Sequence, residues 1–376
     1  MINKKSMQII IIISIFFLTA FLFVSTISAA TISVKANNAD GIKGAIAKSN
    51  NGDTIELSPG TYSGSNNRAL SLSKNVIITG KGSAQSVVIN AQKIDRFFII
   101  AGQANVVFKN ITFTKGNNNN PFDPGNILVN SGSTVTFINC KFTYNSAVMG
   151  AGIYNKGNCK VVNSTFSNNV ALLDGGIHNF EGGKLTVTDS NFTNNNITGY
   201  GGAITNYKSS CTITGSIFKK NSGNNSGGLY NDQGTAILKN SILKNNKFAG
   251  IMNTGTITVK DNTLSGNPAG DFLSNGTVKD ESRLKTYLSL SKFQAKYGKK
   301  TTFKATLKNN LKKPMKNKYI SFYSNNTYLG KVKTNAKGIA ILTKKVTKKG
   351  SVSFIAKYGG TKTYRNSSYT RKVTVK

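Results

Sequence analysis

A self-similar spacing of large apolar residues limits what this chain can fold into more than any other feature. Phe113, Phe142, Phe166, Phe192, Phe218, Leu243 and Leu264 recur at separations of 29, 24, 26, 26, 25 and 21 residues. Seven residues before each stand Val106, Val135, Cys159, Leu185, Cys211, Ala236 and Ile257; five before stand Phe108, Phe137, Val161, Val187, Ile213, Leu238 and Val259. The residues between these two columns are mostly polar, as at Thr136, Lys160, Thr186 and Thr212. Alternation with a period of two describes a half-buried strand rather than a helix. Three residues before each large apolar position come Asn110, Asn139, Asn163, Asp189, Gly215, Asn240 and Asp261. Asn, Asp and Gly tolerate left-handed backbone, so this column is read as a turn. Ser164, Ser190, Ser216 and Ser241 follow it and keep the bend small.

A second set recurs downstream: Gly152-Ile153-Tyr154-Asn155, Gly176-Ile177-His178-Asn179, Gly202-Ala203-Ile204-Thr205-Asn206, Gly228-Leu229-Tyr230-Asn231 and Gly250-Ile251-Met252-Asn253. Each repeat therefore holds short strands separated by fixed turns. A unit this short cannot close a core of its own, so successive units must stack. The expected fold is all-β: a right-handed parallel β-helix of about ten coils, with like residues laddered roughly 4.8 Å apart. Residues 40–48, with Ile42, Ala45 and Ile46 on one face and Asp40 placed to start it, predict a short capping helix ahead of a first coil beginning at Asp53. Cys159 and Cys211 share an inward column with Leu185 between them, at a spacing beyond disulfide reach. Cys140 falls in the bend column, and no disulfide is expected.

Charge divides the chain. Residues 31–284 carry 23 basic and all 13 acidic side chains, whereas residues 285–376 carry 24 basic and none acidic. A domain boundary is expected here: β-helix over 31–271, linker over 272–284, and a second unit over 285–376. In that unit, short alternating runs at 302–307, 319–323 and 352–356 predict a β-sandwich of the immunoglobulin-like kind. The formal charge of +36 favours an anionic partner. Residues 1–30 read as an export signal: Lys4 and Lys5, an apolar run from Ile9 to Val24, then Ser28, Ala29 and Ala30 before a cut. The alternative is retention of this segment as a single N-terminal membrane anchor. Export excludes cytosolic enzymes and nuclear factors, and nucleic acid is not an expected partner. The expected location is secreted or on the cell surface.

Phe142-Thr143-Tyr144-Asn145, Phe166-Ser167-Asn168-Asn169, Phe192-Thr193-Asn194-Asn195 and Phe218-Lys219-Lys220-Asn221 match an F-x-x-N repeat, and Gly150-Ala151-Gly152-Ile153 and Gly201-Gly202-Ala203-Ile204 its G-G-A-I companion. Over residues 35–272 this resembles the polymorphic outer-membrane-protein type of right-handed β-helix. The whole arrangement resembles adhesin-like surface proteins of methanogenic archaea. The segments 326–330, 334–340 and 356–360 resemble bacterial Ig-like repeats. The resemblance implies an exported, non-catalytic adhesin-like protein. Its partners would be wall or neighbour-cell glycans or surface proteins, with anionic polymers meeting the basic C-terminal domain.

Parallel β-helices also host polysaccharide lyases and hydrolases, which need facing carboxylates or a base beside bound calcium. Asp189 and Asp261 fall in the turn ladder, and Asp53, Glu56 and Asp95 are scattered near the cap. Asp174, His178 and Glu181 are the densest titratable group, yet His178 occupies a column otherwise held by Tyr154, Thr205, Tyr230 and Met252. No catalytic residue, metal ligand or cofactor is therefore assigned. The runner-up reading is a carbohydrate-active enzyme, and the third a spacer without ligand. The candidate site is an outward strip of Tyr154, His178, Phe180, Tyr207 and Tyr230, a pattern suited to stacking on sugar rings.

Overall fold

The computed structural model describes residues 29–122, 124–281, 286–309, 312–361 and 364–376. All but the last two residues of the expected export signal or anchor lie outside them. Residues 31–280 wind into a parallel solenoid with three long sheets. The first has eleven strands, from Thr31–Val34 to Thr277–Asp280; the second has nine, from Gly60–Tyr62 to Thr263–Ser265; the third has nine, from Leu70–Leu72 to Gly270–Ser274.

The ladders follow the sequence columns. Val135, Cys159, Leu185, Cys211, Ala236 and Ile257 are successive partners in the first sheet, as are Phe137, Val161, Val187, Ile213 and Leu238. All of them are buried in one continuous core. In the second sheet Phe113, Phe142, Phe166, Phe192 and Phe218 stack with ring centroids 4.9, 4.4, 4.8 and 4.7 Å apart. Each fully buried phenylalanine contributes about 1.5–3 kcal/mol through the apolar surface it withdraws from water.

The turns explain how so thin a unit closes. Every described member of the Asn/Asp/Gly column is left-handed, with φ from 45° at Asn163 to 63° at Gly215. In the bend column the backbone N–H of Ser164 donates to Ser190 Oγ at 3.1 Å, and that of Ser190 to Ser216 Oγ at 3.2 Å. A second left-handed column stands two residues after each large apolar position, at Lys115, Tyr144, Asn168, Asn194, Lys220 and Asn245. Lys and Tyr have no preference for this backbone; from Tyr144 onward the turn is imposed by the buried asparagine that follows, and at Lys115 the next residue, Gly116, donates its N–H to Asn145 Oδ1 of the next coil at 2.8 Å. Asn169 Nδ2 donates to the carbonyl of Phe142 at 3.0 Å and to Asn195 Oδ1 at 2.9 Å, and the next coils repeat both bonds. A third ladder joins Asn155, Asn179, Asn206, Asn231 and Asn253, each amide donating to the next at 2.6–2.7 Å. These bonds meet backbone groups that no strand partner reaches.

Two boundaries differ from expectation. The helix Gly41–Lys48 does bury Ile42 and Ala45 over the core, but it is inserted after the first rung, because Thr31–Val34 already pairs with Thr54–Leu57. Asp40 makes no side-chain cap; instead Asn67 Oδ1 accepts the N–H of Ile42 at 2.9 Å. At the other end, the segment expected as a linker over 272–284 continues the coils to residue 280. Phe272 pairs with Ile251, and Thr277 to Asp280 pair with Thr256 to Val259. The open edge of the preceding coil offers hydrogen bonds to any extended segment, so a strand as polar as Thr277–Asp280 can still join.

Tyr287–Leu290, Lys300–Lys308 and Ile339–Lys345 form one antiparallel sheet of the C-terminal unit; Tyr319–Ser324, Thr327–Lys333, Gly350–Tyr358 and Ser367–Val375 form the other. Alternate residues from both, among them Phe303, Leu307, Ile320, Phe322 and Phe354, build a separate core.

Candidate functional site

In the third sheet Ile153, Ile177, Ile204, Leu229 and Ile251 point into the core, so Tyr154, His178, Thr205, Tyr230 and Met252 take the opposite face. An outward strip was expected there. Instead Tyr154 and His178 are each only 3% exposed, and Phe180, Tyr207 and Tyr230 are half-buried. The cover comes from the chain that enters each strand. It detours sideways through a short four-stranded lateral sheet, Asn117–Asn118, Ser146–Met149, Val170–Asp174 and Asn196–Ile197, before crossing back over the third sheet. Glycine permits this crossing. A Cβ at Gly125, whose φ is +89°, would stand 2.5 Å from Tyr154 Cβ, and one at Gly201 would collide with the Thr205 hydroxyl.

Under this cover the predicted aromatics stack on one another. Tyr154 lies 5.0 Å from His178 and 5.5 Å from Phe180, and Phe180 lies 5.5 Å from Tyr207. Four of the five candidates, His178, Phe180, Tyr207 and Tyr230, border a cavity of about 510 Å³ whose remaining walls include the exposed Tyr200 and Met149. Tyr154 sits behind them and supports the strip rather than lining the cavity.

The cavity also gathers carboxylates. Asp174, at the end of a lateral strand, shares it with Glu181 and Asp232. Burial pushes the Asp174 carboxyl up to about 6; a hydrogen bond from the Thr205 hydroxyl opposes this shift, and the charge of Asp232 adds to it. Burial pushes His178 down to about 3, so its ring is neutral at ordinary pH. Its Nδ1 is 3.7 Å from Asp174 Oδ2, too far for a hydrogen bond, and both ring nitrogens are buried without a partner. Burial raises the phenol of Tyr230 to about 12, with Asp232 adding to the effect. Among the described residues no three His, Cys, Asp or Glu side chains are arranged to hold a metal ion.

Asp232 was missed by the sequence reading, which treated the acidic residues near the strip as confined to one coil. A signal was available. Two positions after the tyrosine column stand Lys156, Phe180, Tyr207 and Asp232, and Tyr207 and Asp232 are direct partners in register. Chemically, the cavity can stack an aliphatic ring face against aromatics and hydrogen-bond hydroxyls through His178 and the carboxylates.

The C-terminal unit presents a different surface. Lys331 and Lys333 stand 4.5 and 5.1 Å over the ring of Tyr319, and Lys357 stands 4.9 Å over Tyr323.

Residues 96–269 match the family described as right handed beta helix region. Residues 288–376 match the bacterial Ig-like domain, group 3. Among curated proteins, none matches the chain. The solenoid is thus a right-handed parallel β-helix, a fold shared by some polysaccharide lyases and hydrolases, and the sandwich is Ig-like. The pair fits a surface or extracellular protein.

Proposed function

We propose that this chain is an exported, adhesin-like protein of the cell surface that takes a residue of a surface glycan into the cavity beside the third sheet. The carrying observation is the run of stacked rings from Tyr154 through Phe180 to Tyr207 at a concave site large enough for a sugar unit. The Ig-like domain rests on anionic wall polymer or neighbouring surfaces through its lysines, and the export segment in residues 1–30 delivers both units outside. Replacing Tyr207 and Tyr230 by Ser lowers retention of the protein on whole cells or glycan arrays at least tenfold. Unchanged retention removes this reading.

A second reading, a carbohydrate-active enzyme, is favoured by one observation: burial raises the Asp174 carboxyl to about 6, and the charge of a second carboxylate, Asp232, adds to that shift. A carboxyl with a raised pKa beside a second carboxylate is the pairing used in glycoside hydrolysis. Incubation with acidic and neutral glycans separates the two readings. Adhesion predicts binding with no new reducing ends or unsaturated uronides; release that disappears in Asp174→Asn establishes catalysis.

A further inference from the structure

Three of the chain's 13 acidic residues line one cavity in a protein that carries 49 lysines and arginines. Glu181 is met by Lys208 at 3.6 Å, and Lys208 also stands 5.0 Å over the Tyr207 ring. Among the described residues, neither Asp174 nor Asp232 has a lysine or arginine within ion-pair distance. Their hydrogen bonds come from neutral hydroxyls. Thr205 donates to Asp174 at 3.5 Å and Thr254 to Asp232 at 2.8 Å. The two carboxylates repel each other with no cation between them.

His178 adds an independent observation. It is 3% exposed, it borders the cavity, and neither ring nitrogen has a hydrogen-bond partner. Buried polar atoms are nearly always satisfied, so an orphaned neutral imidazole beside a cavity marks a place where a ligand group completes the bonding. What is missing is therefore a positive charge for the carboxylates and a hydroxyl or similar group for the imidazole.

Resting on the reading of this cavity as a glycan site, we infer that its ligand is a sugar bearing a protonated amine, the ammonium held by Asp174 and Asp232 and a hydroxyl bonded to His178. Ammonium to carboxylate bonds are charge-assisted and stronger than those to neutral acceptors. Uronic acids, the natural choice for a chain of charge +36, are repelled here and belong to the Ig-like domain.

Calorimetric titration of the full chain at pH 7 with glucosamine, N-acetylglucosamine, glucuronate and methylamine tests this. Glucosamine binds at least tenfold more tightly than N-acetylglucosamine, and Asp174→Asn or Asp232→Asn lowers glucosamine affinity at least tenfold and so erases that difference. Without any variant, lowering the pH from 7 to 5 weakens glucosamine selectively, because Asp174, facing neutral His178, Thr205 and the charge of Asp232, takes up a proton over that range. Equal affinity for both sugars, or preference for glucuronate, overturns the charge assignment and leaves the glycan site standing. Methylamine binding as tightly as glucosamine overturns the sugar and points to a peptide amine. Absence of binding by all four overturns this inference and the glycan reading together.

Discussion

The cavity beside the third sheet and the four-stranded sheet of the Ig-like domain both display tyrosines, yet they surround them with opposite charge. Tyr207 and Tyr230 border Asp174, Glu181 and Asp232, whereas Tyr319 and Tyr323 lie under Lys331, Lys333 and Lys357. The two surfaces also differ in construction. In the solenoid, neighbours along a ladder are parallel partners from successive coils; in the sandwich, they are antiparallel cross-strand partners. The comparison teaches that net charge does not name a ligand. A chain of +36 still places two half-buried carboxylates, Asp174 and Asp232, on one cavity.

The largest expected effect tests whether the two units are independent. Phe166→Ala opens the middle of the phenylalanine stack and costs about 3–5 kcal/mol. Calorimetry then shows a lower transition for the β-helix and an unmoved one for the Ig-like domain; joint movement of both breaks the comparison. Next comes Asn195→Ala, which strips the carbonyl of Phe166 and the N–H of Asn169 of their partner. Each orphaned group costs about 1–3 kcal/mol, read as a shift in the urea midpoint.

Stability against pH separates the units by chemistry. His178 titrates low in the folded state, so the unfolded chain binds its proton first and β-helix stability falls as pH drops from 6.5 towards about 3. Asp174 acts with opposite sign: its carboxyl is raised to about 6, so the folded state gains stability as pH falls through 6 towards 3.8. In Asp174→Asn the acid loss is therefore steeper than in the unaltered chain. The Ig-like domain contains neither acidic side chains nor histidine, and its melting temperature stays flat from pH 7 to 4. The smallest effects belong to exposed lysines. Lys331→Gln, Lys333→Gln and Lys357→Gln each weaken retention on anionic polymer by under about 1 kcal/mol, and retention collapses above physiological salt, where screening acts beyond about 8 Å. Sugar binding in the cavity changes little over the same range.

Much of the scaffold was legible in advance. The columns through Val161, Val187, Ile213 and Leu238 and through Phe142, Phe166 and Phe192 are the observed ladders, and the Asn139 to Asp261 column is left-handed as read. The left-handed column through Tyr144 and Lys220 was not legible, because those residue types have no such preference and the turn belongs to the asparagine beyond them. The insertion of the helix after the first rung, and the extension of the coils to residue 280, depend on edge pairing that composition does not record.

Repetition in the sequence was enough to determine the stacked core and its inward residues, since a short unit with one apolar face has no other way to bury it. It also placed His178, Phe180, Tyr207 and Tyr230 on one face of one sheet. Whether that face met water was decided only in three dimensions. Period-two alternation tells which side of a strand a residue occupies, but the loops between coils determine whether another segment crosses that side, encloses a cavity and brings Asp232 to Asp174.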